Sequence, residues 1–389
     1  MNTQSDIKPF YAINISRRAH ELAAEGRSII HMEFGQPSTG APAAAIARAH
    51  EVLDKDGMGY WESEPLKRRI ARHYAETYGV TVEPERIFLT SGASPALVMA
   101  LRCLFAPGAR IAIARPGYVS YRNVTRALYL EPVEIDCGPE TRFQPSAAML
   151  ETMEPKPDGL IVASPANPTG SVIPEADFAA LAETCKRRGI RIVSDEIYHG
   201  LSYVGPIATA LAFDDSAIVL NSFSKYYSMA GWRLGWMIVP KDLIATARAL
   251  MGNLFLTPPS LAQHAGLVAF DCTEELEEHV AMYRRNRAMM LDALPELGLN
   301  RIAPPDGAFY IYADIGHLTQ DSLAFCGRLL EDTGVVTAPG IDFDPVNGHH
   351  YMRFSFAVST EEVREAIARM KPWFAARAAE AAPKAGAPA

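Results

Sequence analysis

Short apolar runs rich in isoleucine and valine recur through the middle of this chain: ERIFLTSG, ARIAIARPG, GLIVASPANPTG, IRIVSDEIYHG and AIVLNSFSK. They break off in Gly, Ser, Pro or Asn, and helical stretches such as SPALVMALRCLF and PEADFAALAETCKRRG separate several of them. Runs of this kind, alternating with helices, predict an α/β fold with a mostly parallel central sheet covered by helices on both faces. Ligands of such sheets collect at the C-terminal ends of the strands, so the polar residues there are the first candidates for a site.

Beyond about residue 280 the alternation stops. A long polar helix, EELEEHVAMYRRNRAMMLDALPEL, leads to strand-like GAFYIYADI, a helix near 322–331, strand-like VVTAPG and YMRFSFA, and a helix from Thr360 to about Ala376. This reads as a second, α+β unit. The Ala/Pro-rich end, EAAPKAGAPA, reads as a disordered tail.

Several classes of function are disfavoured by composition. A net charge of -8 argues against nucleic acid, whose phosphates select basic surfaces. No apolar stretch reaches the length of a membrane span, and MNTQSDIKPF lacks the features of a secretory signal, so a cytoplasmic protein is expected. The five cysteines are odd in number and widely separated, which suits buried thiols in a reducing compartment. His349 and His350 are neighbours; in a strand they would face opposite ways, and no metal is expected.

The chemistry concentrates in a few segments. In SFSKYYSMAGWRLGW, Lys225 follows Ser222 and Ser224 and precedes Arg233, a set suited to a phosphorylated carbonyl compound. The amine can form a Schiff base while hydroxyls and the planar guanidinium hold phosphate; the plain alternative is a surface lysine in a loop. Asp195 ends the run GIRIVS, with Tyr198 three residues on. A carboxylate there can keep a heteroaromatic ring nitrogen protonated and Tyr198 can donate to a phenolate oxygen, or Asp195 simply caps the next element. NPTG forms a turn that leaves Asn167 to face a ligand, and SGASPAL sets small residues where a strand meets a helix, a phosphate-binding geometry. Arg353, mid-strand in HHYMRFSFAVS, needs an anion: a substrate carboxylate or a protein carboxylate.

The order NPTG, DEIY, SFSK with GWRLGW, then RFSFA resembles the class I/II pyridoxal-phosphate aminotransferases, the fold-type I family that includes aspartate aminotransferase. The resemblance runs from FGQPSTGAP to the C-terminal helix. It implies a large cofactor domain over 46–280 and a small α+β domain over 281–376, which the segment 1–45 joins, with 377–389 as the tail. It also implies pyridoxal 5'-phosphate as cofactor, with Lys225 carrying it and shuttling the proton, Asp195 on the pyridine nitrogen, and Asn167 and Tyr198 on the ring hydroxyl. Gly92, Ala93, Ser94, Ser222 and Arg233 would hold the phosphate, and Tyr118 of RPGYVSY would stack on the ring. Arg353 would grip the substrate carboxylate, helped by the Gly35 backbone. Tyr60 would reach the phosphate of a neighbouring subunit, which implies a homodimer with shared sites, although YWESEPLK is shorter here than in the family.

The expected reaction moves an amino group from an amino acid to a 2-keto acid. A lyase or cyclising enzyme on the same scaffold is the alternative; a cofactor-sensing regulator, expected to carry a DNA-binding module, is more distant. NLFLTPPS offers no arginine where dicarboxylate-specific members present one, so an apolar or aromatic donor is expected, unless Arg102 or Arg122 swings into the site.

Overall fold

The computed structural model describes residues 7–381. Its strands, in chain order, are β1 (Ile30–His31), β2 (Ile87–Thr90), β3 (Arg110–Arg115), β4 (Glu131–Asp136), β5 (Gly159–Ala163), β6 (Arg191–Asp195), β7 (Ile218–Ser222), β8 (Gly235–Ile238), β9 (Tyr310–Asp314), β10 (Val335–Val336), β11 (Ala338–Pro339) and β12 (Tyr351–Ser355). A seven-stranded sheet has the order β2-β8-β7-β6-β5-β3-β4, parallel except for β8, which runs antiparallel between β2 and β7. The expected mostly parallel sheet is therefore present.

Alternation along its strands feeds two cores. Ile161, Val193 and Leu220 pack with Leu97 and Leu101 of the helix Ala93–Leu104 on one face. Leu160, Val162, Ile192 and Val219 pack with Phe178 and Leu181 of the helix Glu175–Arg188 on the other. Each such buried aliphatic side chain contributes about 1.5–3 kcal/mol, so the sheet is anchored on both sides and its strand ends are rigid.

The C-terminal elements form a three-stranded antiparallel sheet, β11-β12-β9, while β1 pairs in parallel with β10. The helix Tyr11–Ala24 buries Ile15, Ala19 and Leu22 in the same core as Phe325, Phe354 and Trp373. Its N-cap, Phe10, has no capping side chain. Asp342 from the other end of the sequence does that work, accepting from the Tyr11 and Ala12 N–H groups at 2.7 and 2.9 Å.

Two expectations are corrected here. The last helix does not stop near Ala376 but runs Thr360–Ala381, and the remainder of the expected tail, 382–389, lies outside the described residues. His349 and His350 are not in a strand; they close a short 3-10 turn, Gly348–His350, with ring centroids 3.9 Å apart. No helix among the described residues is long and apolar enough to cross a membrane.

Candidate active site

At the C-terminal ends of β6 and β7 lies a cavity of about 330 Å³. β7 ends at Ser222, and the turn after it carries Ser224 and Lys225 into the cavity wall. The Lys225 side chain is half-buried and its ammonium donates to the Gly35 carbonyl. Burial lowers its pKa to about 8, the Arg353 and Arg233 charges act in the same direction, and Asp195 opposes them. Lys225 is thus no surface lysine.

Asp195 is the last residue of β6, and no helix follows it. Its carboxylate accepts from Tyr121 Oη at 2.7 Å and from the Ile197 N–H at 3.2 Å. Burial pushes its pKa up, against those two hydrogen bonds and the Lys225 charge. A buried carboxylate with hydrogen bonds but no ion pair among the described residues is suited to a cationic ligand group.

The opposite wall joins a helix N-terminus to a guanidinium. Gly92 precedes the helix Ala93–Leu104 at φ 91° and leaves its first turn without a side-chain cap. Ala93 and Ser94 line the cavity beside Arg233, whose guanidinium donates to the carbonyls of Ala230 and Ser91 at 2.9 and 3.2 Å. Glycine is required here by the backbone angle, and a Cβ at position 92 would stand 2.6 Å from Arg233 Nη2 and push the guanidinium aside. Uncapped N–H groups facing a guanidinium suit a phosphate group.

On a third side stands Arg353, 2% exposed. Its guanidinium donates to Asn167 Oδ1 at 2.7 Å and to the Glu33 carbonyl, and lies over the rings of Tyr310 and Phe343 at 4.4 and 4.6 Å. It forms no ion pair with a carboxylate among the described residues, and its Nε is buried without a partner there. No close ion pair with a protein carboxylate therefore occupies this guanidinium among the described residues. Asn167 accepts through Oδ1, which leaves its NH2 group as a donor.

Gly35, Tyr118 and Tyr198 complete the expected set around the cavity. Three expected residues do not line it. Gly92 acts through the backbone just described. The Ser222 side chain donates to the Leu234 carbonyl at 2.9 Å and bonds Ser224 Oγ at 2.8 Å, and Ser224 is the hydroxyl that lines the wall. Tyr60 is 86% exposed, away from this chain's own cavity. Arg102 and Arg122 do not line it either, and Arg122 is buried against Glu134. Nor do Leu254, Phe255 and Leu256.

The sequence reading missed Tyr121 and Tyr310. Tyr121 is three residues after Tyr118, one helical turn along the same element, and that spacing was its signal. Tyr310 shares a hydrogen bond of 2.7 Å with Tyr198, and alternation along β9 was the signal that it faces the same way as Tyr312.

An amine, a phosphate cradle, a buried carboxylate for a ring nitrogen and donors from Asn167 and Tyr198 are the donor set pyridoxal phosphate needs, and the residues present fit it. Comparison with known proteins agrees. The family described as aminotransferase class I and II matches residues 27–370. A valine–pyruvate aminotransferase from Mycobacterium tuberculosis is 45% identical over 377 residues, spanning 95% of this chain and 97% of that one. The crystal structure of an aminotransferase from Mycobacterium tuberculosis superposes with TM-score 0.93 at 44% identity, over 96% of this chain and 98% of the other. Aspartate aminotransferase from Thermus thermophilus with maleate gives TM-score 0.89 at 29% identity, over 96% and 98%. This chain therefore belongs to the class I and II aminotransferases, pyridoxal-phosphate enzymes that move an amino group from an amino acid to a 2-keto acid.

Proposed function

We propose that this enzyme takes its amino group from a neutral, apolar amino acid of the valine type and passes it to a small 2-keto acid such as pyruvate. The observation that carries the reading is Arg353, a buried guanidinium that is ion-paired with no carboxylate among the described residues and lines the same cavity as the Lys225 amine. Lys225, Arg233 and Arg353 are the cations of that cavity among the described residues, while Phe10, Phe34, Leu97 and Val124 add apolar surface. With the first two committed to cofactor and the third to the α-carboxylate, a side-chain carboxylate has no partner. The valine–pyruvate relative supports the same choice.

Pyridoxal phosphate, when bound, supplies an aldehyde for the amino group and a ring that accepts the electron pair left when the Cα–H bond breaks. The chain's residues do the rest. Ala93, Ser94, Ser224 and Arg233 hold phosphate, Tyr118 covers a ring face, and Asn167 and Tyr198 hydrogen-bond the ring hydroxyl. Asp195 keeps a proton on the ring nitrogen. Arg353 orients the α-carboxylate, and the Lys225 amine, brought by burial to about 8, takes the proton from Cα and returns one.

We further propose a cytoplasmic homodimer with shared sites and a division into 46–280 and 281–376, with 1–45 joined to the second. The five free cysteines support a reducing compartment. Exposed Leu53, Met58, Tyr60, Leu254 and Leu256 support a subunit contact, since Gln263 binds the backbones of Ser63, Trp61 and Pro258 and ties two of these segments together.

Two outcomes test this reading. Arg353→Lys should raise KM for amino acids roughly 10- to 100-fold, as the loss of a charge-assisted hydrogen bond worth about 1.5–3 kcal/mol requires, while amines without a carboxylate change little. Equal losses for both classes would return Arg353 to a packing role. In steady-state assays with one common acceptor, kcat/KM for valine and leucine should exceed that for aspartate by at least about tenfold, or ~1.4 kcal/mol. An aspartate preference would mean that another cation reaches the pocket.

A further inference from the structure

A second carboxylate stands behind the substrate-carboxylate arginine, and none of the roles above uses it. Glu33 is fully buried, with Oε1 2.8 Å from His31 Nδ1 and Oε2 without a hydrogen-bond partner among the described residues. Its own carbonyl accepts from Arg353, and the Gly35 carbonyl two residues on accepts from Lys225. Just before Glu33 the chain is held by main-chain bonds, Met32 N–H to Val336 O at 2.9 Å and Ser355 N–H to Met32 O at 2.8 Å, and after it the chain enters the cavity as Phe34, Gly35 and Gln36. One short strip thus touches both reactive cations.

We propose that Glu33 and His31 are a positioning pair for the substrate carboxylate, with the charge on the pair tuning how strongly Arg353 holds a carboxylate. This rests on Arg353 being the carboxylate ligand. A proton on His31 adds one positive charge to the pair beside the backbone that holds Arg353 and favours an anion arriving there; loss of that proton withdraws the help.

The groups around the pair set the direction. The Glu33 hydrogen bond is the largest influence and raises the His31 pKa above 6.5; partial burial opposes it, and Glu362 on the helix Thr360–Ala381 adds to the rise. His20 on the helix Tyr11–Ala24 faces His31 with ring centroids 5.1 Å apart and uses Nδ1 on the Ser16 carbonyl at 2.7 Å. Arg353 on β12 meets Glu33 through the carbonyl. Because the folded pKa of His31 is raised, the pair's stabilising contribution is complete below 6.5 and is lost as pH rises through the folded value. Carboxylate affinity should fall over that same window.

The holoenzyme tests it. Binding of 3-methylbutanoate, which has no group titrating above pH 6, is measured by calorimetry, and KM for a short 2-keto acid is measured alongside, both from about pH 6 to 8.5. Wild type should lose roughly three- to tenfold in affinity across the window, the size of a shift of about half to one pK unit. Glu33→Gln should make both profiles shallower than wild type below pH 8, leaving the contribution of the Lys225 amine near 8, with kcat little changed, and a thermal melt checks that it folds. If it does not fold, His31→Gln, which removes the titrating ring, should make them shallower in the same way. Folded variants that keep the wild-type profiles overturn the proposal, whereas Arg353→Lys binding 3-methylbutanoate as well as wild type overturns it by removing the reading beneath it.

Discussion

Lys225→Ala should abolish turnover, with a loss of roughly 10⁴-fold or more in kcat, because it removes both the covalent attachment of the cofactor and the base that moves the α-proton; general base catalysis alone supplies about 10²–10⁴. The fold should survive, since the residues after β7 are fixed by other groups: Met229 N–H to Phe223 O at 3.0 Å and Ser228 N–H to Lys225 O at 3.1 Å are main-chain bonds. Borohydride reduction of the wild type followed by peptide mapping should find the cofactor on Lys225. An adduct on another lysine, or a variant with substantial turnover, refutes the role.

Asp195→Ala should keep part of its cofactor and lose about 10²-fold or more in kcat. The direct loss is a charge-assisted hydrogen bond worth about 1.5–3 kcal/mol, and failure to hold the ring proton adds to it as charge develops. Tyr121 gives a graded version of the same test. Its hydroxyl holds one Asp195 oxygen at 2.7 Å, so Tyr121→Phe should lower kcat by roughly tenfold, the scale of one buried hydrogen bond of about 1.5 kcal/mol. Near-normal kcat in a cofactor-loaded Asp195→Ala enzyme would contradict the assignment.

Much of this was legible in the sequence because strand ends are punctuated. Asp195 and Lys225 each follow a buried apolar run, and the sheet delivers both to one cavity as the parallel order requires. β8 was harder to read, since GWMI follows a glycine-rich turn and runs against its neighbours. β4 was obscured too: EPVEID begins with Glu-Pro and is only half buried, as an edge strand paired with β3 alone can be. The choice between Ser222 and Ser224 was beyond periodicity, because the turn after β7 breaks the strand's alternation and Ser222 finds the Leu234 carbonyl first. Glu33 gave no signal at all. Its importance comes from contact with a residue more than three hundred positions away.

That separation bears on how the enzyme comes into being. Glu33 to Arg353 spans 320 positions, Gly35 to Lys225 spans 190 and Asn167 to Arg353 spans 186. Such non-local contacts form late, after long loops have closed. During synthesis the sheet and its cofactor cradle, complete by β8, can assemble while the carboxylate arginine is still untranslated. A nascent chain at that stage would be able to capture the vitamin-derived cofactor yet have no grip on an amino acid, so maturation ends with the segment that distinguishes substrates from other amines.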